Sequence, residues 1–252
     1  MTEGGEPRLF GDRTGAAGGP AGNPPGRDVC DCLRGGGPRA AEPALHTERQ
    51  DTSAPGWRRL CELVEEAAAD GREVFSPLRE LTAEERRQVV TLPPAIAELT
   101  AVRQLLLYGS NLVRVPPEIG AMTSLEVFDP YTSYRLHWFP YELTRCANLR
   151  DSTVSTRALY GNFKTRLPFP ALGPAGSGEA AGVRACSVCT APLPPTGPVR
   201  VWISLLVATD VLPLLVNACS QDCVDALPPP AEGHIATAHR GGPTIAQPPT
   251  RP

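Results

Sequence analysis

Cys186-Ser-Val-Cys189 and Cys219-Ser-Gln-Asp-Cys223 are the residues whose type and spacing speak most directly of chemistry. Each is a close thiol pair, and the 29 residues between them allow a hairpin that returns the second pair to the first. Four thiolates gathered this way suit the tetrahedral preference of Zn2+. Four protein ligands also fill its shell and leave no place for a catalytic water. The spacing predicts one structural zinc ion held by Cys186, Cys189, Cys219 and Cys223. The rival chemistry is a thiol-based redox or metal-responsive regulator using the same sulfurs, in which a helix start activates one thiol of a Cys-x-x-Cys pair. Thr190-Ala-Pro-Leu-Pro-Pro195 follows Cys189 and obstructs the helix that such exchange normally uses.

The elements that must position these sulfurs are legible between and behind them. Val201 to Ala208 and Val211 to Val216 are β-rich runs separated around Thr209-Asp210, and a short helix is expected over Val224 to Leu227. A helix start beside Cys219 and Cys223 would favour their thiolates through its dipole. The order of knuckle, hairpin, cysteine pair and helix resembles treble-clef or zinc-ribbon modules, here over 186–227. The other cysteines read differently. Cys30-Asp-Cys32 lies in a Gly- and Pro-rich stretch without a second nearby pair, while Cys61 and Cys146 fall among apolar positions and are expected to pack.

Upstream, Leu60, Leu63, Val64 and Ala67 recur at helical spacing with charged residues between them, which predicts an amphipathic helix from Trp57. Thr82-Ala-Glu-Glu85 is a capping box and predicts a second helix running to about Val90. The chain then repeats itself. Leu92-Pro93-Pro94-Ala95-Ile96 aligns with Val115-Pro116-Pro117-Glu118-Ile119 after 23 residues, and Phe139-Pro140-Tyr141-Glu142-Leu143 follows after 24. Leu99, Val102, Leu105 and Leu107 in the first unit match Met122, Leu125 and Phe128 in the second, and a third continues through Leu149 and Val154.

This phrase resembles the leucine-rich repeat family, with Ser110 at the position usually held by the repeat's Asn and Tyr134 at that position in the second unit. The resemblance implies a short α/β solenoid of about three units over 92–170, capped by the helices at 57–91. Each unit buries its apolar side only against a neighbour. It also implies that the positions between the core residues face a concave recognition surface. Carried over, these are Arg103, Gln104, Leu106 and Tyr108, then Glu126 and Asp129, then Arg150, Asp151 and Thr153. A shallow mixed-charge face of this kind suits a protein or peptide partner. With the cysteine module behind it, the chain looks like a soluble bacterial type of repeat protein: an interaction scaffold or adaptor rather than an enzyme.

Composition agrees with that exclusion. There is no His-Glu-x-x-His, Gly-x-Ser-x-Gly or dinucleotide glycine fingerprint, and Gly173-Pro-Ala-Gly176-Ser-Gly178 lacks the Lys-Ser/Thr ending of a phosphate loop. The 24 basic and 27 acidic side chains nearly cancel, which argues against nucleic acid as a partner. The apolar run Val199 to Val216 is interrupted by Arg200, Asp210 and Pro213, which argues against a membrane span. Met1 to Pro25 lacks an export-type apolar run, so a cytoplasmic location is expected. With 24 Gly and 29 Pro in 252 residues, sizeable unstructured segments are expected. They are placed at 1–56, in a linker over 171–185 and in a Pro-rich tail over 228–252.

Overall fold

A computed structural model describes residues 45–154, 167–173 and 183–249. Most of the expected disordered segment at 1–56 and most of the 171–185 linker lie outside the described residues. The architecture is mixed α/β, with one parallel sheet, one mixed sheet and few helices.

The first helix, α1 (Pro55–Asp70), begins with a proline in its first turn, where a missing N–H costs nothing. It stops at Gly71, whose φ of 67° lets its N–H reach back to the Ala67 carbonyl. The predicted stripe of Leu60, Leu63, Val64 and Ala67 is buried. The second helix, α2 (Ala83–Arg87), is shorter than expected but carries the predicted capping box. Thr82 Oγ1 accepts from the Glu85 N–H at 3.2 Å, and Glu85 Oε2 from the Thr82 N–H at 2.8 Å. Gly56 sits where the two helices meet, and a Cβ there would lie 2.4 Å from the Glu85 carbonyl oxygen, so only glycine permits this approach.

Next comes a series of short parallel strands: β1 (Val74–Phe75), β2 (Gln104–Leu106), β3 (Val127–Asp129) and, after β4 (Phe139–Pro140), β5 (Asp151–Ser152). The sheet order is β1-β2-β3-β5, with Leu105 beside Phe128 and Phe128 beside Ser152. A 3-10 turn follows each repeated proline, at Pro94–Glu98, Pro117–Ala121 and Tyr141–Arg145. The strand-entry hydrogen bonds repeat too. The Glu73 carbonyl accepts from the N–H groups of Arg103 and Gln104, that of Arg103 from Glu126 and Val127, and that of Glu126 from Arg150 and Asp151. Leu99, Val102, Leu105, Leu107, Met122, Leu125 and Phe128 are all buried, at about 1.5–3 kcal/mol for each large side chain removed from water.

The 23-residue register places Ser133, rather than Tyr134, directly beside Ser110. Their buried hydroxyls lie 2.6 Å apart, and Ser133 Oγ donates onward to the Leu107 carbonyl at 3.2 Å. A hydroxyl pair thus satisfies backbone groups at this turn.

The cysteine segment forms an antiparallel hairpin of β6 (Val199–Val207) and β7 (Asp210–Ala218), turning at Ala208-Thr209. It is not set apart from the repeats. β4 pairs in parallel with β7, Phe139 beside Leu214 and Pro140 beside Leu215, and one buried cluster runs from Leu60 through Phe128 and Phe139 to Leu214 and Val216. The segment expected as an extended tail from 228 also packs down. His239 and Trp202 exchange backbone hydrogen bonds at 2.7 and 3.0 Å, and Gly242 N–H donates to Phe169 O. A second cluster of Trp138, Phe169, Leu172, Trp202 and Leu215 lies beneath it. Among the described residues, no helix is long and apolar enough to cross a membrane.

Candidate metal centre and binding face

The hairpin returns Cys219 to the Cys186–Cys189 knuckle because nine register pairs, from Val199–Ala218 to Val207–Asp210, leave the two strand ends level. The second pair sits at the start of α3 (Gln221–Asp225), one turn ahead of the expected helix. Ser220 caps it, its hydroxyl accepting from the Cys223 N–H at 3.4 Å. The knuckle is fastened on two sides. Ser187 exchanges hydrogen bonds with the Asn217 backbone at 2.8 and 3.0 Å, and Arg145 of the third repeat donates to the Ser187 carbonyl at 2.7 Å.

All four sulfurs lie within 4.8 Å of one another. Cys189 Sγ is 3.6 Å from Cys219 Sγ, which is 3.5 Å from Cys223 Sγ. A disulfide would bring two sulfurs to about 2.05 Å, whereas a tetrahedron with metal–sulfur bonds of about 2.3 Å has edges of about 3.8 Å. These distances match the tetrahedron, and all four thiols are free. The cluster could hold a metal ion.

Electrostatics favour the same reading. Burial raises the Cys186 thiol, but the N–H groups of Cys189, Val188 and Cys219 point at its sulfur and outweigh that effect, bringing it down to about 6. Cys223 is pushed up to about 12 by sharing protons with the sulfurs of Cys219 and Cys189. Four thiolates this close repel one another unless a cation lies among them. The two remaining described cysteines differ. Burial raises Cys61, and raises Cys146 to about 11, where the thiol donates to the Ile119 carbonyl at 3.2 Å.

The nine residues expected on the strand face lie along or beside β2, β3 and β5. Arg103, Gln104, Tyr108, Arg150, Asp151 and Thr153 are exposed, and Leu106, Glu126 and Asp129 are half-buried. Glu126 is clasped from both sides, by Arg103 Nε at 2.8 Å and by the Arg150 guanidinium. Tyr108 stands over Tyr131 with ring centroids 6.0 Å apart, and both rings are exposed. Leu106, Tyr108 and Asp129 edge a depression of about 310 Å³ that Arg79 and Arg86 also line. Tyr131 is exposed, unlike the buried aromatics Phe128, Trp138 and Phe139 near it in sequence. Its pairing with Tyr108 across 23 residues was the available signal for its exposed place.

No protein-family model and no curated protein matches this chain.

Proposed function

We propose that the chain is a non-enzymatic protein-interaction scaffold. In this reading the repeats at 92–154 are a leucine-rich repeat solenoid, and a single structural Zn2+ joins Cys186, Cys189, Cys219 and Cys223. The observation carrying it is the register of side chains flanking adjacent parallel strands: Arg103, Glu126 and Arg150 in one row, Tyr108 over Tyr131 in the next. Paired salt links hold the first row in place, and exposed aromatics supply the contact area that protein and peptide interfaces favour. The zinc would pin the two ends of the hairpin and supply folding energy, with Cys186 held as a thiolate by its three amide donors.

Two measurements test this. Native mass spectrometry of the full chain is expected to show one tightly bound zinc, lost in Cys186→Ser. In affinity capture from the source cells, a Tyr108→Ala, Tyr131→Ala variant with an unchanged melting temperature is expected to lose proteins that the parent chain retains. Identical recovery rejects the strand face as the site. The depressed Cys186 thiol also favours a second reading, a redox or metal-responsive regulator. Reversible disulfide formation by the metal-free chain without unfolding would select it.

A further inference from the structure

The depression of about 310 Å³ on the strand face has an apolar side, from Leu78, Leu106 and Tyr108, and a polar side. The polar side holds Ser76, Arg79, Arg86 and Asp129, two cations against one carboxylate. Both arginines come from the segment after the edge strand β1: Arg79 ends the 3-10 turn Pro77–Arg79, and Arg86 belongs to α2.

The arginines nearby are already paired. Arg72 meets Asp70 and Glu80, Arg87 meets Glu84, and Arg103 and Arg150 share Glu126. Arg79 is exposed, and among the described residues its guanidinium has neither an ion pair nor a hydrogen bond. Arg86 Nε donates to the Leu81 carbonyl at 3.0 Å, which holds the guanidinium but leaves its two terminal nitrogens without a partner among the described residues. Neither of those nitrogens is buried, so a ligand in solvent can reach them. An arginine presenting free N–H groups in a fixed plane recognises carboxylate or phosphate oxygens. Asp129 Oδ1 accepts from the Tyr131 N–H at 3.0 Å, and its carboxylate can take a further donor such as a peptide N–H.

The surroundings say what carries the anion. Among the described residues the exposed large apolar side chains are Val74, Tyr108, Tyr131 and Leu206, and the first three border β1, β2 and β3. Small-molecule pockets span about 300–1,000 Å³, so a depression at the lower end of that range takes one side chain, while the tyrosines beside it offer contact area to the flanking residues.

We propose that the strand face binds an acidic peptide, whose side-chain carboxylate or phosphate enters the depression to meet Arg79 and Arg86 while its neighbours lie against Tyr108 and Tyr131. The proposal rests on the scaffold reading and adds the charge and chemistry of the partner.

Three probes of one frame test it: acetyl-Tyr-Glu-Leu-amide and the same peptide with phosphoserine or glutamine in place of glutamate. Titrated into the full chain and followed by NMR of its arginine Nε–H groups, at least one acidic peptide is expected to saturate with a Kd of about 1 mM or tighter, and the glutamine peptide to bind about tenfold more weakly. The tighter of the two acidic peptides identifies carboxylate or phosphate as the preferred group. Inorganic phosphate, which reaches neither tyrosine, should also bind about tenfold more weakly than that peptide. Arg79→Glu loses no bond within the chain, so it should keep the melting temperature and abolish the preference for acid over glutamine. Equal binding of acidic and glutamine peptides, equal binding of free phosphate, or an unchanged preference in Arg79→Glu overturns the proposal. Affinity capture separates this failure from that of the scaffold. Proteins kept by Arg79→Glu but lost by the Tyr108→Ala, Tyr131→Ala variant overturn the acidic partner and leave the face as a site, whereas identical recovery by parent and both variants removes the face itself.

Discussion

The parallel strands and the cysteine hairpin share one core but are held by different physics. In the repeats the stabilising contacts are many and alike: Leu105, Phe128 and their equivalents recur at 23- or 24-residue intervals, each covered by the next turn of the chain. In the hairpin they are unlike one another: nine register pairs closed at one end by four sulfurs, with β4, the Arg145–Ser187 hydrogen bond and the shared apolar cluster joining it to the repeats. Damage to a repetitive core is therefore graded, whereas damage to a pinned hairpin is abrupt. The seam at Phe139 and Pro140 decides how far the abrupt kind spreads.

The largest expected effect breaks that seam from the hairpin side. If a structural metal joins the sulfurs, chelation or Cys186→Ser should remove much of a binding energy that is about 10–16 kcal/mol in small zinc peptides. Hydrogen exchange should then show β6, β7 and α3 deprotected. Because β4 pairs with β7, Phe139 and its neighbours should lose protection as well, while β2 and β3 keep theirs. Full protection throughout would mean that the metal contributes nothing to the fold.

From the other side, Leu105→Ala or Ile119→Ala should cost about 2–5 kcal/mol, because both side chains are fully buried. Urea melts should show one transition for the repeats and hairpin together, and two separate transitions would divide the core that they share.

His239 provides a pH-dependent probe of the segment packed over the hairpin. Burial lowers its pKa from 6.5 to about 4, with Nδ1 accepting from the Gly241 N–H and the ring edge-on to Phe169. The unfolded chain binds the proton more readily, so stability should fall as pH drops from 6.5 towards 4, by up to about 3 kcal/mol. In His239→Asn, which keeps an acceptor near the Nδ1 position, the difference in stability between urea melts at neutral and acid pH should shrink by that amount.

The smallest effect belongs to the strand face. Arg150→Ala removes one exposed arm of the Glu126 clasp and should cost at most about 1 kcal/mol, less in high salt. A larger loss would mean that the clasp supports the sheet rather than merely ordering its surface.

Local pattern was enough for much of this molecule. The stripe of α1, the Thr82–Glu85 box, the repeated apolar positions and both strands of the hairpin were readable because each depends on residues close in sequence. The four cysteines were readable because thiol chemistry restricts what such spacing can mean. Ser133 was missed by one position, because the 23-residue offset of the strands continues unchanged as far as Ser133 and only the neighbouring Ser110 hydroxyl reveals it. Glu142 was visible as part of the repeated phrase, whereas Asn217 fell just past the expected Val211 to Val216 run, and nothing local shows that both end at one cavity.

The amino-acid sequence by itself determined which side chains are buried in each repeat and which sulfurs belong together, because periodicity and ligand type act over short distances. Tertiary structure alone decided that β4 joins the hairpin, that His239 and Gly242 lie over Trp202 and Phe169, and that Trp57, Glu142 and Asn217 line one space. Those pairings join residues tens to more than a hundred positions apart, and their free energy comes from surfaces that exist only after the local elements have formed.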